Sequence, residues 1–292
     1  MRIGRYVTLK NLRRFLASLS LSSTALFCVP GMAASKPWEH LPELRPDTSM
    51  YQHAQVNGVR LAYSEVGQGS PVIVLHGGPA NASYLSGQVQ VLRAHHRVIS
   101  IDTRGHGRST LGETPLGYNV FADDVVALMA HLQIAKADIV GWSDGAITGL
   151  DMAMRHPDKV GKVLAFGANV RTSGTYADAD SKPAFAAFLA RAPEEYRKLS
   201  PTPEAFGQLD LELQRMYATQ PNWTTEQLNT IKSKVLVVDG EHDEVIRPEH
   251  TRDIAQSIPG AKLVFIEDTS HFAFLQAPEA FNKVMLDFLE GA

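Results

Sequence analysis

Cysteine is almost missing from these 292 residues: there is one, Cys28, and it lies in the N-terminal segment, directly after the bulky Phe27. Past that segment there is no thiol to form a disulfide, act as a nucleophile or bind a metal. An excess of either charge is missing too, since 28 Lys and Arg stand against 31 Asp and Glu for a formal net charge of -3. A protein that neutralises phosphates carries a basic excess, so a nucleic-acid partner has no electrostatic support. No spacing of the H-E-x-x-H kind occurs, which removes the commonest sequence signature of a bound metal. Internal repeats and low-complexity tracts are also absent. What remains is 44% hydrophobic and 20% charged, the make-up of a globular enzyme with enough chain to bury a sizeable core.

The first thirty-odd residues differ in character from the rest. Arg2, Arg5, Lys10, Arg13 and Arg14 make a basic start, Leu16 to Val29 is mostly apolar, and small residues follow at Gly31-Met-Ala-Ala34. A basic start, an apolar stretch and a small-residue site describe a secretory signal peptide, expected over residues 1–34. The apolar stretch is shorter than the ~20 residues a membrane span needs, which disfavours an uncleaved anchor. Arg13-Arg14-Phe15 lacks the residue usual between the arginines and the phenylalanine of a twin-arginine signal, so ordinary secretion is expected. A periplasmic or secreted enzyme without stable membrane association follows, and a chain without thiols tolerates an oxidising compartment.

Pro37, Pro42 and Pro46 mark residues 35–50 as an extended linker. Two β-type runs around Asn57-Gly58 read as a hairpin. Pro71 to Leu75 is a continuous apolar run, as expected of a strand buried on both faces, and it empties into His76-Gly-Gly-Pro79. Helices and strands then alternate: strands over Arg97–Ile101, Ala137 onward and Val160–Ala165, with a helix from about Asn119 to Gln133. Alternation of this kind predicts an α/β fold, a mostly parallel sheet with helices on both faces. It stops at about Asn169. Residues 169–230 show helical spacing and no strand, and read as an inserted helical cap between two parts of the core, 51–168 and 231–292. Alternation resumes with strands over Lys234–Val238 and Leu263–Ile266 and a last helix from Pro278 to Leu289.

The chemistry concentrates where apolar runs end. Gly141-Trp142-Ser143-Asp144-Gly145 fits the G-x-S-x-G turn, which drives a serine oxygen out of the sheet between a strand and a helix. A serine hydroxyl needs a base, and the base needs an acid to fix its tautomer. In strand-turn-helix sites of this type the acid and then the histidine follow the serine. Asp243 follows the strand Lys234–Val238, and His271 follows Leu263–Ile266, so both sit past carboxyl ends of strands, where open sheets gather reactive groups. Asp239 is the rival acid, but it lies nearer the strand, and Gly240 lets the chain turn before Asp243. His250 is the rival base and falls at a helix start. The oxyanion needs two backbone donors, expected from the Asp144 and Gly78 N–H groups. Asp144 and Trp142, flanking the nucleophile, are the candidates for touching substrate. His76 and His106 read as structural.

Taken together, His76-Gly-Gly-Pro79, Asp102-Thr-Arg-Gly-His-Gly-Arg-Ser109, Gly141-Trp-Ser-Asp-Gly145, Gly240-Glu-His-Asp243 and Ser270-His271-Phe272 resemble the α/β-hydrolase superfamily from about residue 51 to the end. The resemblance implies an eight-stranded sheet, a helical cap over the site, no cofactor, and hydrolysis of a small-molecule ester, lactone or amide through an acyl-enzyme on Ser143. Carbon–carbon bond hydrolysis and perhydrolysis use the same triad in that superfamily, and a ligand-binding protein with vestigial catalysis shares its fold. The Gly-Trp-Ser-Asp-Gly turn is similar to that of valacyclovir-hydrolase-like enzymes, where the aspartate after the nucleophile recognises a substrate amino group. His-Gly-Gly-Pro is shared with proline iminopeptidases, although Ala80 and Ala146 depart from the glycines usual in the two subfamilies.

The N-terminal reading is checked by mass spectrometry of the exported protein, which should begin at Ala34 or Ser35. An intact Met1 in that fraction would mean a retained anchor.

Overall fold

The computed structural model describes residues 36–291; the expected signal segment lies outside the described residues. In chain order the elements are β1 (Tyr51–Val56), β2 (Val59–Val66), β3 (Ser70–Leu75), α1 (Ser86–Leu92), β4 (His96–Asp102), α2 (Tyr118–His131), β5 (Ala137–Trp142), α3 (Asp144–Arg155), β6 (Val160–Phe166), α4 (Pro183–Leu199), α5 (Phe206–Tyr217), α6 (Thr225–Leu228), β7 (Lys234–Gly240), α7 (Pro248–Ser257), β8 (Lys262–Ile266), α8 (Ala273–Gln276) and α9 (Pro278–Glu290). One eight-stranded sheet runs in the order β1-β2-β4-β3-β5-β6-β7-β8. Only the pairings of β2 with β1 and β4 are antiparallel. Asn57 and Gly58 close the first hairpin with φ of 45° and 79°, the left-handed pair that a two-residue turn between twisted strands requires.

Strand side chains alternate between faces, and that alternation divides the core. Ile73, Leu75, Ile99, Ile101 and Ile139 meet Phe121, Val125, Ile147 and Leu150 of α2 and α3 on one face. Val72, Val74, Val98, Val140 and Trp142 meet Val89 and Leu92 of α1 and Phe281 and Met285 of α9 on the other. Each such side chain contributes ~1.5–3 kcal/mol by leaving water. The cap joins both cores, through Leu209, Leu213 and Met216 on the first face and Ala184 and Phe188 on the second.

Residues 36–50 are more than a spacer. Leu41 is buried in the second core, the Gln276 amide donates to the carbonyls of Trp38 and His40 at 3.2 and 2.9 Å, and Arg191 of the cap donates to the Pro42 carbonyl at 3.3 Å. Asp47 accepts the hydroxyls of Tyr51 and Ser83 at 2.7 and 2.9 Å. The segment is not extended throughout, as the prolines led one to expect: Pro37 opens a single 3-10 turn, Pro37–Glu39, because its fixed φ suits a first helical position, and side-chain donors from the core and cap hold the carbonyls that follow.

At the centre of the sheet, β5 passes into α3 through Ser143, whose φ of 53° and ψ of -119° lie where a non-glycine residue is strained. The Ser143 N–H donates to the Phe166 carbonyl at 2.8 Å and its carbonyl accepts the Ile147 N–H at 3.0 Å. Glycines on both sides permit this close turn. A Cβ on Gly141 would land on the backbone of Gly145 and Ala146, and one on Gly145 would land on the Leu75 carbonyl. These are collisions with backbone, which has no rotamer to change. Gly145→Ala should therefore cost at least the ~1–3 kcal/mol typical of overpacking, read as a lower urea midpoint; an unchanged midpoint would show that α3 is free to shift.

Candidate active site

Three loops at the carboxyl edge of the sheet bring the predicted residues together. His271, after β8, is fully buried, and its Nδ1 meets Asp243 Oδ2 at 2.7 Å. A carboxylate can only accept, so Nδ1 carries the proton. The other oxygen, Asp243 Oδ1, accepts the Val245 and Ile246 N–H groups at 2.7 Å each, which fixes the carboxylate before the histidine reaches it. The remaining ring nitrogen, Nε2, is buried without a hydrogen-bond partner. Ser143 is half-buried at the head of α3, and no hydrogen bond joins its hydroxyl to Nε2 in this conformation. Nε2 is the one basic atom of the triad left to take the serine proton.

Electrostatics favour that role. Burial disfavours the charged imidazolium, but the charge and hydrogen bond of Asp243, then the charges of Glu244 and Asp144, outweigh it and raise the His271 pKa above its ordinary 6.5. Asp243 moves the other way: burial works against its charge, and His271, Asp239 and the Ile246 N–H overcome it and hold the pKa low. The rival acid, Asp239, is completely buried and bonds to Thr251 and the Gly240 N–H rather than to the histidine. His250, in the first turn of α7, is spent on accepting the Val170 N–H at 3.0 Å.

The expected oxyanion donors flank Ser143. Asp144 is the first residue of α3, so its N–H has no acceptor within the helix. Gly78 lies across from it: a Cβ there would strike the Asp144 carboxylate and the Tyr217 hydroxyl. The Gly78 loop is held by His76, one of the two histidines read as structural. His76 Nε2 accepts the Thr103 N–H at 3.1 Å, so its Nδ1–H donates to the Gly77 carbonyl at 2.7 Å. Burial lowers the pKa of His76 to about 4 and of His106 to about 3, so both stay neutral. Asp102 ties the neighbouring loops by accepting the Ala82 and Arg108 N–H groups, each at 2.8 Å.

One expectation needs correction. Trp142 does not reach a substrate: strand alternation turns it into the second core, 1% exposed, with ring centroids 5.6 Å from Tyr84, 5.7 Å from Phe188 and 4.8 Å from Phe274. It supports the nucleophile turn from beneath. Asp144 does face the site, and its carboxylate is engaged by two phenols, Tyr118 at 2.8 Å on Oδ1 and Tyr217 at 2.6 Å on Oδ2. Burial raises the Asp144 pKa, while Tyr217, Tyr118, the His271 charge and the Gly78 N–H work to keep it charged. Sequence reasoning missed both tyrosines, which come from the start of α2 and the end of a cap helix. It also missed Glu244, whose Oε2 accepts the His271 N–H at 3.1 Å. Burial, joined by the Asp243 charge, lifts the Glu244 pKa to about 7. Its place beside Asp243 was the available clue.

The sheet order, the serine turn and the strand-end acid and histidine define a hydrolase with a serine at its nucleophile turn. A model described as the alpha/beta hydrolase family matches residues 72–284, and the chain belongs to that family. It is 26% identical over 287 residues to the human serine hydrolase BPHL, covering 89% of this chain and 94% of the relative. It is 28% identical over 244 residues to a pimeloyl acyl-carrier-protein methyl ester esterase of Neisseria meningitidis, covering 75% and 93%. Among solved structures, an enol-lactonase from Burkholderia xenovorans LB400 superposes with a TM-score of 0.66 at 29% identity, covering 82% of this chain and all of that one, 100%.

A general base must be neutral, so the raised His271 pKa should place the acid limb of kcat/KM above 6.5, with activity falling as pH drops through it. Glu244→Gln removes a nearby negative charge, and the limb should move to lower pH. A pH–rate profile checks both; a limb that moves upward in the variant would contradict the charge account.

Proposed function

We propose that this chain is an exported serine hydrolase that cleaves a small ester, lactone or amide through an acyl-enzyme on Ser143. The observation that carries the reading is the buried Asp243–His271 pair with Nε2 unpartnered beside a serine held in a strained strand-to-helix turn. Nε2 takes the serine proton as Oγ attacks the carbonyl carbon, and Asp243 stabilises the imidazolium that forms. The Asp144 N–H receives the developing oxyanion, joined by the Gly78 N–H as it turns from the Asp144 carboxylate to the substrate. The imidazolium then protonates the leaving alcohol or amine, and water, activated by the same nitrogen, releases the acid. An esterase, a lactonase and a serine hydrolase among the relatives support this chemical range.

Substrate preference turns on Asp144. Its carboxylate shares a wall with the Gly78 backbone, so a negative charge there opposes the oxyanion that Gly78 should bind. A substrate ammonium beside Asp144 would offset that charge and gain a charge-assisted hydrogen bond of roughly 1.5–3 kcal/mol. This agrees with the resemblance of the Ser143-Asp144 pair to valacyclovir-hydrolase-like enzymes. The two phenols and the Gly78 N–H leave about one lone-pair direction of the Asp144 carboxylate for a further donor, and we read the site as one for aminoacyl esters.

Ser143→Ala should abolish labelling by a fluorophosphonate and lower turnover on the order of 10³-fold or more; a variant that labels normally would refute the nucleophile. Aminoacyl esters should be cleaved about tenfold faster than their des-amino analogues, and Asp144→Asn should remove most of that difference. Equal rates on the two substrates by the unmodified enzyme would reduce Asp144 to a structural residue.

A further inference from the structure

Asp239 has no part in the mechanism above, yet it is a completely buried ionisable side chain directly behind the triad. It is the penultimate residue of β7, paired with Phe265 of β8, and the chain turns at Gly240 to bring Asp243 back toward it. Its Oδ1 accepts the Gly240 N–H at 3.0 Å and its Oδ2 lies 2.5 Å from the Thr251 hydroxyl of α7. The carboxyl also stands within hydrogen-bonding reach of Asp243. A carboxylate offers about four lone-pair directions. On Asp243, Val245 N–H and Ile246 N–H take two, and the His271 Nδ1–H takes a third. One direction is left open to a further donor.

We infer that Asp239 holds a proton in the folded enzyme and donates it in a hydrogen bond to Asp243, so that it acts as a positioning residue for the acid of the triad. Two carboxyl groups in contact cannot both carry charge in a buried place without large cost. Their surroundings assign the charge: Asp243 has two backbone donors and an imidazole, while Asp239 has one backbone donor and a hydroxyl. Burial, then the Asp243 charge, pushes the Asp239 pKa well above the carboxylate range, in agreement with the geometry. The other ionisable groups nearby are Glu244 and His271 on the triad loops. On α7, His250 turns to the Val170 N–H, and Arg247 at its N-cap turns to the Thr175 carbonyl, so neither supplies a cation to Asp239. Strand β8 presents the uncharged Phe265.

The arrangement has a functional consequence. A fourth donor spreads the Asp243 charge and moderates its pull on the imidazolium, so the hydrogen bond sets the His271 basicity as well as the orientation of the carboxylate. Asparagine can replace the acid almost atom for atom. Its Nδ2–H donates to Asp243, its carbonyl keeps the Gly240 N–H, and the Thr251 hydroxyl can swing to the Arg247 carbonyl, already 3.4 Å away. Alanine supplies none of these.

The inference rests on the triad reading and is tested on the full-length folded enzyme in two ways. In pH profiles, Asp239→Ala should lower kcat/KM by roughly tenfold and shift its acid limb to higher pH, while Asp239→Asn should restore most of the rate and return the limb to its place. Were Asp239 an anion, its replacement by asparagine would remove a negative charge near His271 and move the limb to lower pH, which would overturn the inference. Infrared difference spectra of wild type against Asp239→Asn, taken on the alkaline side of the Glu244 titration near about 7, should show a protonated-carboxyl C=O band that the variant loses. Absence of that band would overturn it as well. The infrared result needs no turnover, so it stands even where Asp239→Ala fails to fold. It also separates this idea from the triad itself, which labelling of Ser143→Ala would refute.

Discussion

The turn at Ser143 is the constraint on which the rest of the site depends. A serine at φ 53° is a strained residue, and it persists only because the surroundings over-determine it. The hydrogen bond to Phe166 fixes it from β6, Gly141 and Gly145 let β3 and α3 close on it, and Trp142 fills the space beneath. The same geometry fixes the serine proposed as nucleophile, starts α3 with an Asp144 N–H that has no acceptor within the helix, and places the positive end of that helix beside Ser143. Moving any one of these elements displaces the other two.

Around that turn the site is rich in buried carboxyl groups and has one histidine to balance them. Asp243, Glu244 and Asp144 all raise the His271 pKa, although their roles differ. Asp243 is saturated by donors and keeps its charge, Glu244 is poised near about 7, and Asp144 is held by phenols from the core and the cap. A cap tyrosine on the residue after the nucleophile ties cap position to active-site electrostatics. The Tyr217 hydroxyl is spent on the buried Asp144 carboxylate, while the residue as a whole is 37% exposed.

Most of the fold was legible because apolar runs and turn residues are local. All eight strands fall where runs such as Pro71–Leu75 predict them, and α2 is Tyr118–His131 against an expected Asn119 to Gln133. The last helical residue differs because the chain bends at Gln133 with φ 57°, which hydrophobic spacing does not encode. The Asp243–His271 pair and the turn at Ser143 were legible because each of these residues follows a strand in a fixed order. Trp142 was misplaced, since adjacency to a nucleophile says nothing of the face a strand residue takes at a bend. Tyr118, Tyr217 and the docking of residues 36–50 depend on contacts between distant segments, and no spacing in the chain marks them.

The central claim is that Ser143 is the nucleophile and that the Asp144 and Gly78 N–H groups receive the oxyanion. Its most direct test is a crystal structure of the enzyme after reaction with a small alkyl fluorophosphonate. The account predicts phosphorus bonded to Ser143 Oγ, with the phosphonyl oxygen between those two N–H groups and His271 Nε2 facing Oγ. Phosphorus on another residue, or a phosphonyl oxygen turned away from both N–H groups, would contradict it.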